Sequence, residues 1–107
     1  MASQIRTPLA ISAASSGANT LLAAQTGYKI RVLSYTLVSA GTVTATFKSG
    51  AAGADLTGAM TLIAGVPLVV LLQREGHFET AVTTLLNLVL GGAVQVSGHC
   101  TYELVAA

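Results

Sequence analysis

Apolar and polar residues alternate along several stretches of the chain, with the period of two that places successive side chains on opposite faces of a β-strand. In residues 42–48, three apolar side chains share one face, while three threonines and a lysine occupy the other. Residues 94–104 alternate in the same way, except that Gly98 interrupts the apolar face. Both patterns predict half-buried strands, and the glycine predicts a bulge, a bend or close approach of another backbone.

The alternation changes phase within residues 28–39. Apolar residues occupy even positions up to Val32 and odd positions from Leu33 onward. A β-bulge near these two residues would produce this change, because one extra residue returns the following side chains to the same face. The pattern therefore predicts one long bulged strand, with Lys29 and Arg31 together on its outer face.

Short strand-like segments separated by glycine turns favour an antiparallel sandwich or barrel over alternating β and α units. A short helix over residues 80–90 is disfavoured, because several of its residues are β-branched. No linker or charge block divides the chain, so residues 1–107 are predicted to form a single domain. About eight strands are predicted, over residues 5–13, 20–24, 28–39, 42–48, 60–64, 68–73, 85–90 and 94–104.

Charged residues are unusually sparse in this chain. They make up 8% of it, against roughly 25% in ordinary soluble proteins, while 52% of the residues are hydrophobic. Residues 68–72 and 85–90 are nearly continuous apolar runs, which indicates burial on both faces, either between sheets or against another subunit. A sandwich of this size has one core, so burial on both faces favours oligomerisation.

The same composition argues against two classes of partner. A net charge of +1 and the absence of a Lys/Arg run disfavour nucleic-acid binding, which requires several phosphate contacts. Residues 56–73 and 80–102 are uncharged and long enough to span a bilayer. Both contain glycines, with a proline in the first and polar residues in the second, and these are costly in a lipid-exposed helix. No membrane span is predicted.

No motif in the sequence indicates an enzyme. A phosphate-binding glycine loop and a nucleophile elbow are both missing. His99 and Cys100 are neighbours on a predicted strand, so their side chains face opposite ways and are poor joint metal ligands. Glu75 and Glu79 suggest an acid–base pair, but with Arg74 beside them they are better explained as charges on a solvated loop. We therefore predict no catalytic residue, metal site or cofactor.

The most informative charged residues are Lys29, Arg31 and Lys48. Together they are predicted to form a small cationic stripe on the outer face of the sheet. Such a stripe either maintains solubility or contacts an acidic surface on a protein partner. Because the chain has so few charges, we retain these three residues as the candidate partner contact.

Six segments together carry a resemblance to known proteins: 27–35, 47–50, 55–58, 76–80, 86–88 and 98–102. Their pattern resembles a family of small structural proteins of tailed bacteriophages and prophages, of the capsid-decoration (cement) or head-fibre kind. The resemblance extends over most of the chain and implies a compact β-sandwich, often jelly-roll-like, that forms homotrimers. It brings no catalytic residue.

The resemblance leads to a functional hypothesis. A protein of this kind is expected to be made in the host cytoplasm, to bind the major capsid protein on the outer capsid surface and to stabilise the shell. Threefold symmetry would bury apolar strands between copies and present three identical contacts to the shell. The alternative is a component of a head or tail fibre that acts as a receptor- or carbohydrate-binding module.

Overall fold

Nine β-strands form two sheets in this protein. The computed structural model describes residues 6–50 and 53–106, and these contain no helix. The strands are β1 (Thr7–Ala13), β2 (Gly17–Leu22), β3 (Tyr28–Ser39), β4 (Val43–Ser49), β5 (Met60–Leu62), β6 (Leu68–Val70), β7 (Phe78–Glu79), β8 (Leu86–Leu90) and β9 (Val96–Ala106).

The two sheets pack face to face as an antiparallel sandwich. The first sheet has the strand order β1-β9-β3-β6, with β7 also paired to β3, and the second has the order β2-β8-β4-β5. All pairings between these strands are antiparallel. The chain alternates between the sheets along most of its length, which is the jelly-roll arrangement. The predicted all-β, jelly-roll-like sandwich is confirmed.

The predicted bulge in β3 is also confirmed. Val32 lies opposite Tyr102 and Ser34 lies opposite Thr101, so Leu33 is the extra residue. Both Val32 and Leu33 are consequently buried, although they are adjacent in the sequence. The bulge therefore accounts for the phase change of the apolar pattern.

Gly98 lies where β9 passes close to the backbone of β3. A Cβ atom added to it would collide with the carbonyl oxygen and carbon of Thr36. Its φ of +154° is also rarely adopted by residues with side chains. The close approach of another backbone, predicted from a glycine on the apolar face, is confirmed.

The core fills the space between the sheets. The Phe47 ring on β4 packs across this space against Tyr35 on β3 and Phe78 on β7, with ring centroids 4.9 Å and 5.0 Å apart. The other large, fully buried aliphatic side chains of this core are Ile30, Val32, Leu37, Leu86, Leu88, Leu90 and Val96. This core fixes the register of β3 and therefore the position of the charged residues on its outer face.

The predicted strands 60–64 and 68–73 are shorter than expected, and β7 was missed. The segment 68–73 leaves the first sheet after Val70, and the chain rejoins β3 only at Phe78. The interruption faces the bulge, where the Gln73 amide donates to the Leu33 carbonyl at 3.0 Å. A bulge disrupts the hydrogen-bond ladder locally, so β6 pairs with β3 on one side of the bulge and β7 pairs with β3 on the other side.

Asn87 is an unusual polar residue in the middle of β8. It is 1% exposed, and neither its side-chain nitrogen nor its side-chain oxygen has a hydrogen-bond partner among the described residues. Asn87→Leu, which is close to isosteric, is expected to raise the free energy of unfolding by about 1 kcal/mol, because burying an unpaired amide is costly. Urea denaturation will measure this change. A Leu variant less stable than the wild type would show that the Asn87 amide does have hydrogen-bond partners.

Candidate functional site

Arg31 lies at the centre of an ion-pair network on the outer face of the first sheet. Cross-strand pairing places Glu103 on one side of it and Glu79 on the other. Its Nε atom donates to Glu79 Oε2 at 3.1 Å, and its Nη1 atom donates to Glu103 Oε2 at 3.2 Å. Lys29 Nζ lies 3.6 Å from the other Glu79 oxygen. Two carboxylates therefore hold the Arg31 guanidinium in one orientation.

Glu103 is nearly inaccessible to solvent, although it lies on the outer face. Its side chain is only 6% exposed. A buried carboxylate is strongly destabilising unless a cation pairs with it, and Arg31 supplies that cation. The Arg31–Glu103 pair is therefore a fixed part of this face.

Two further arginines converge on the same place. Arg6, just before β1, and Arg74, in the segment between β6 and β7, line an open cleft of about 570 Å³ together with Arg31, Glu75 and Glu103. We call this the arginine cleft. Neither Arg6 nor Arg74 forms an ion pair within residues 6–50 and 53–106. The cleft therefore presents two guanidinium groups with free donors.

Gly76 brings the segment between β6 and β7 against the floor of this cleft. Its φ is +80°, and a Cβ atom at this position would collide with the Cγ and Cδ atoms of Arg31. Only glycine satisfies both conditions without rearrangement. The close packing keeps Arg74 and Glu75 beside the Arg31 network.

The charged residues of this protein are concentrated at one site. Seven of its nine charged residues belong either to the arginine cleft or to the adjoining pairs formed by Lys29 and Glu79. The other two are Lys48 and Asp55, whose side chains pair at 3.3 Å. Outside this concentration, the described surface is nearly uncharged.

The structure corrects the predicted cationic stripe. Lys29 and Arg31 share the outer face of β3, but Lys48 belongs to β4 in the second sheet. The three cannot form one stripe, because the sequence pattern indicates which side of a strand a residue occupies and not which sheet contains the strand. A partner contact by these residues remains a prediction.

A second surface feature is apolar. Seven large hydrophobic side chains are exposed in the described part of the chain, and five of them lie within residues 63–72. This segment begins directly after β5 and contains β6. Both β5 and β6 are edge strands, each in a different sheet. We call these five residues the apolar edge: Ile63, Val66, Val69, Leu71 and Leu72.

The end of the apolar edge is held in place by His77. The His77 Nε2 atom lies 2.8 Å from the Leu71 carbonyl oxygen, within hydrogen-bond distance. The ring also makes an edge contact with Tyr35, with centroids 6.2 Å apart, and the His77 amide donates to the Val32 carbonyl. Leu71, which is 78% exposed, is therefore presented on an anchored segment.

The remaining candidates for chemistry lie apart. Cys100 is fully buried and His99 is exposed, which confirms that these neighbours face opposite ways. Both oxygens of Glu79 are engaged by cations, so it acts as an ion-pair partner on β7 and not as a charge on a solvated loop. The described residues contain no cluster of three metal-binding side chains.

Burial raises the pKa of the Cys100 thiol to about 11 from 9.0, because desolvation disfavours the thiolate. Above pH 9.0, the unfolded chain has lost a proton that the native state retains. The contribution of this group to stability is therefore complete below pH 9.0 and is lost toward pH 11, by about 3 kcal/mol in total. Urea denaturation across this range should show a smaller decline in the free energy of unfolding for Cys100→Ala than for the wild type, because the variant has no thiol. Some decline should remain, because burial also raises the pKa of Tyr35.

Comparisons with protein-family models, with curated proteins and with solved structures find no match to this chain. No helix capable of crossing a membrane occurs in residues 6–50 and 53–106.

The arginine cleft could not be predicted from the sequence. Arg6, Arg74 and Glu103 are far apart along the chain and belong to no motif. Alternation placed Arg31 of β3 on an outer face and did the same for Glu103 of β9, and no other signal was present. Strand pairing is needed to bring Glu103 beside Arg31.

Proposed function

We propose that the protein is a bacteriophage capsid decoration (cement) protein, which forms a homotrimer and binds the major capsid protein on the outer capsid surface. The observation that carries this proposal is the apolar edge: five large aliphatic side chains exposed within residues 63–72, a segment that contains the edge strand β6 of a jelly roll. An exposed apolar patch beside unpaired strand edges is typical of an interaction surface. The jelly roll is a fold that virion proteins use.

The apolar edge explains the proposed trimer physically. Closed threefold symmetry lets each copy bury this edge against its neighbours and removes the exposed strand edges at the same time. The apolar run 68–72, predicted to be buried on both faces, is largely exposed in the single chain, with Val69 56% and Leu71 78% exposed. Contact with a second copy would complete its burial.

Trimerisation would also strengthen shell binding. If each copy bound its shell site with millimolar affinity, about −4 kcal/mol, rigid linkage would make the later contacts intramolecular and raise the overall avidity by several orders of magnitude. A trimer held in this way across shell subunits opposes the pressure of packaged DNA. This role requires no chemical reaction.

The alternative, a receptor- or carbohydrate-binding module of a fibre, explains the surface less well. Jelly rolls also serve as lectins, but carbohydrate sites commonly stack sugars against aromatic rings. The apolar edge consists of isoleucine, valine and leucine, which suit contact with another apolar protein surface.

Substitution of the apolar edge tests the trimer. In size-exclusion chromatography with light scattering, the molar mass of the wild-type protein is expected to be three times the chain mass of 10.8 kDa. The double variant Leu71→Ser/Leu72→Ser is expected to be monomeric at micromolar concentration, because it removes apolar area from the contact. Val82→Ser, which alters an exposed valine outside the apolar edge, is the matched control and should remain trimeric.

Shell binding tests the function itself. The trimer is mixed with empty shells assembled from the major capsid protein encoded in the same genome, and is then imaged by cryo-electron microscopy. High, symmetric occupancy of the outer surface is expected. A protein that leaves shells bare but binds cells or glycans would establish the fibre alternative, and a stable wild-type monomer would contradict the trimer.

A further inference from the structure

We infer that the arginine cleft is the docking site for an acidic segment of a second protein, whose carboxylates bind Arg6 and Arg74. The identity of that protein as the capsid subunit rests on the proposed function. The recognition chemistry rests on the geometry of the cleft.

The two outer arginines differ from the central one in their freedom to bind. Arg31 already donates to both Glu79 and Glu103, so it contributes positive potential and fixed geometry. Arg6 and Arg74 are exposed and pair with no acidic group of the described residues. Their planar guanidinium groups can each bind a carboxylate through two parallel hydrogen bonds.

The charge of the cleft favours a carboxylate over a polyanion. Three arginines and two glutamates line it, a net charge of +1, and the paired Lys29 and Glu79 beside it leave that total unchanged. The positive charge of the cleft is therefore small and interspersed with carboxylates. These acidic groups repel a nucleic-acid backbone, and Glu75 at the cleft can accept a hydrogen bond from an amide or hydroxyl of a peptide.

The position of the cleft supports a protein partner. Arg74 follows Leu72 of the apolar edge by two residues in the same connecting segment. An apolar area bordered by charged groups is the usual composition of a protein–protein interface. The cleft can therefore meet the shell at the border of the surface that joins the copies.

The assignment is tested with a short capped peptide that alternates glutamate and glycine, titrated into the wild-type protein and followed by the NMR signals of the arginine Nε–H groups. We expect the signals of Arg6 and Arg74 to shift most. The double variant Arg6→Gln/Arg74→Gln is expected to bind about tenfold more weakly, the sum of two exposed charge contacts. Val82→Ser, which alters an exposed residue outside the cleft, is the control and should bind as the wild type does.

Two further probes test whether carboxylates are what the cleft recognises. The same peptide with glutamine in place of glutamate should cause no shift. A single-stranded oligonucleotide should bind more weakly than the glutamate peptide. Equal affinity of the wild type and the double variant for the glutamate peptide, or tighter binding of the oligonucleotide at Arg6 and Arg74, would overturn the assignment.

The shell experiment separates this inference from the proposed function. If the wild type decorates shells and the double variant, still trimeric, does not, both stand. If the double variant decorates shells as well as the wild type does, the cleft assignment fails and the decoration function stands. If the wild type leaves shells bare but binds the glutamate peptide through Arg6 and Arg74, the decoration function fails and the cleft remains a site for an acidic protein segment.

Discussion

Phe47→Ala is expected to lower the free energy of unfolding by about 3–5 kcal/mol. Phe47 is fully buried, and its ring joins the two sheets through contacts with Tyr35 and Phe78. Removing the ring loses apolar burial and leaves a cavity that strands held in register cannot close. A domain of this size is typically stable by about 5–15 kcal/mol, so the loss is a large part of the total.

Equilibrium urea denaturation at one fixed chain concentration measures this loss, since stability changes with concentration in an oligomer. Phe47→Leu keeps most of the volume and is expected to cost clearly less than the alanine variant. Equal costs for the two variants would contradict the role of the ring as the contact between the sheets.

Gly98→Ala is expected to destabilise the protein by about 3 kcal/mol or more, although it adds a single methyl group. The new Cβ atom would collide with the Thr36 carbonyl oxygen, which belongs to the neighbouring backbone. Backbone atoms cannot move aside by changing rotamer, and β9 is held on both sides, by β1 and by β3. Relief therefore requires the two strands to separate.

Gly92→Ala provides a matched control for this substitution. A Cβ atom at Gly92 meets no atom within 4 Å, so this variant is expected to stay within about 0.5 kcal/mol of the wild type. Thermal and urea unfolding of the two variants compare them directly. If Gly98→Ala were as stable as Gly92→Ala, the close approach of β9 and β3 would be wrong.

The two surface features suggest a division of roles. The apolar edge offers aliphatic area without charge, which suits contact between identical copies. The arginine cleft, next to the apolar edge, contains most of the charged residues of the protein, which suits selection of an acidic partner. Each surface has its own double variant. Leu71→Ser/Leu72→Ser tests assembly, and Arg6→Gln/Arg74→Gln tests binding of the acidic partner.

The sequence alone determined the local features of the fold. Alternating side chains identified most of the strands, and the phase change at Val32 and Leu33 identified the bulge. Gly98 indicated a bulge, a bend or a close backbone approach, and the last of these is what the structure shows. These features were predictable because each depends on which side of its own strand a residue faces, and the period of two records this directly.

Only the tertiary structure decided how those strands combine. Pairing placed Glu103 and Glu79 on either side of Arg31, put Lys48 in the other sheet, and brought Arg6 and Arg74 to one cleft. The register and sheet of a strand depend on contacts with residues distant in the sequence, so no local pattern contains them. For the same reason, the sequence shows that the protein has nine charged residues, but only the fold shows that seven of them lie together.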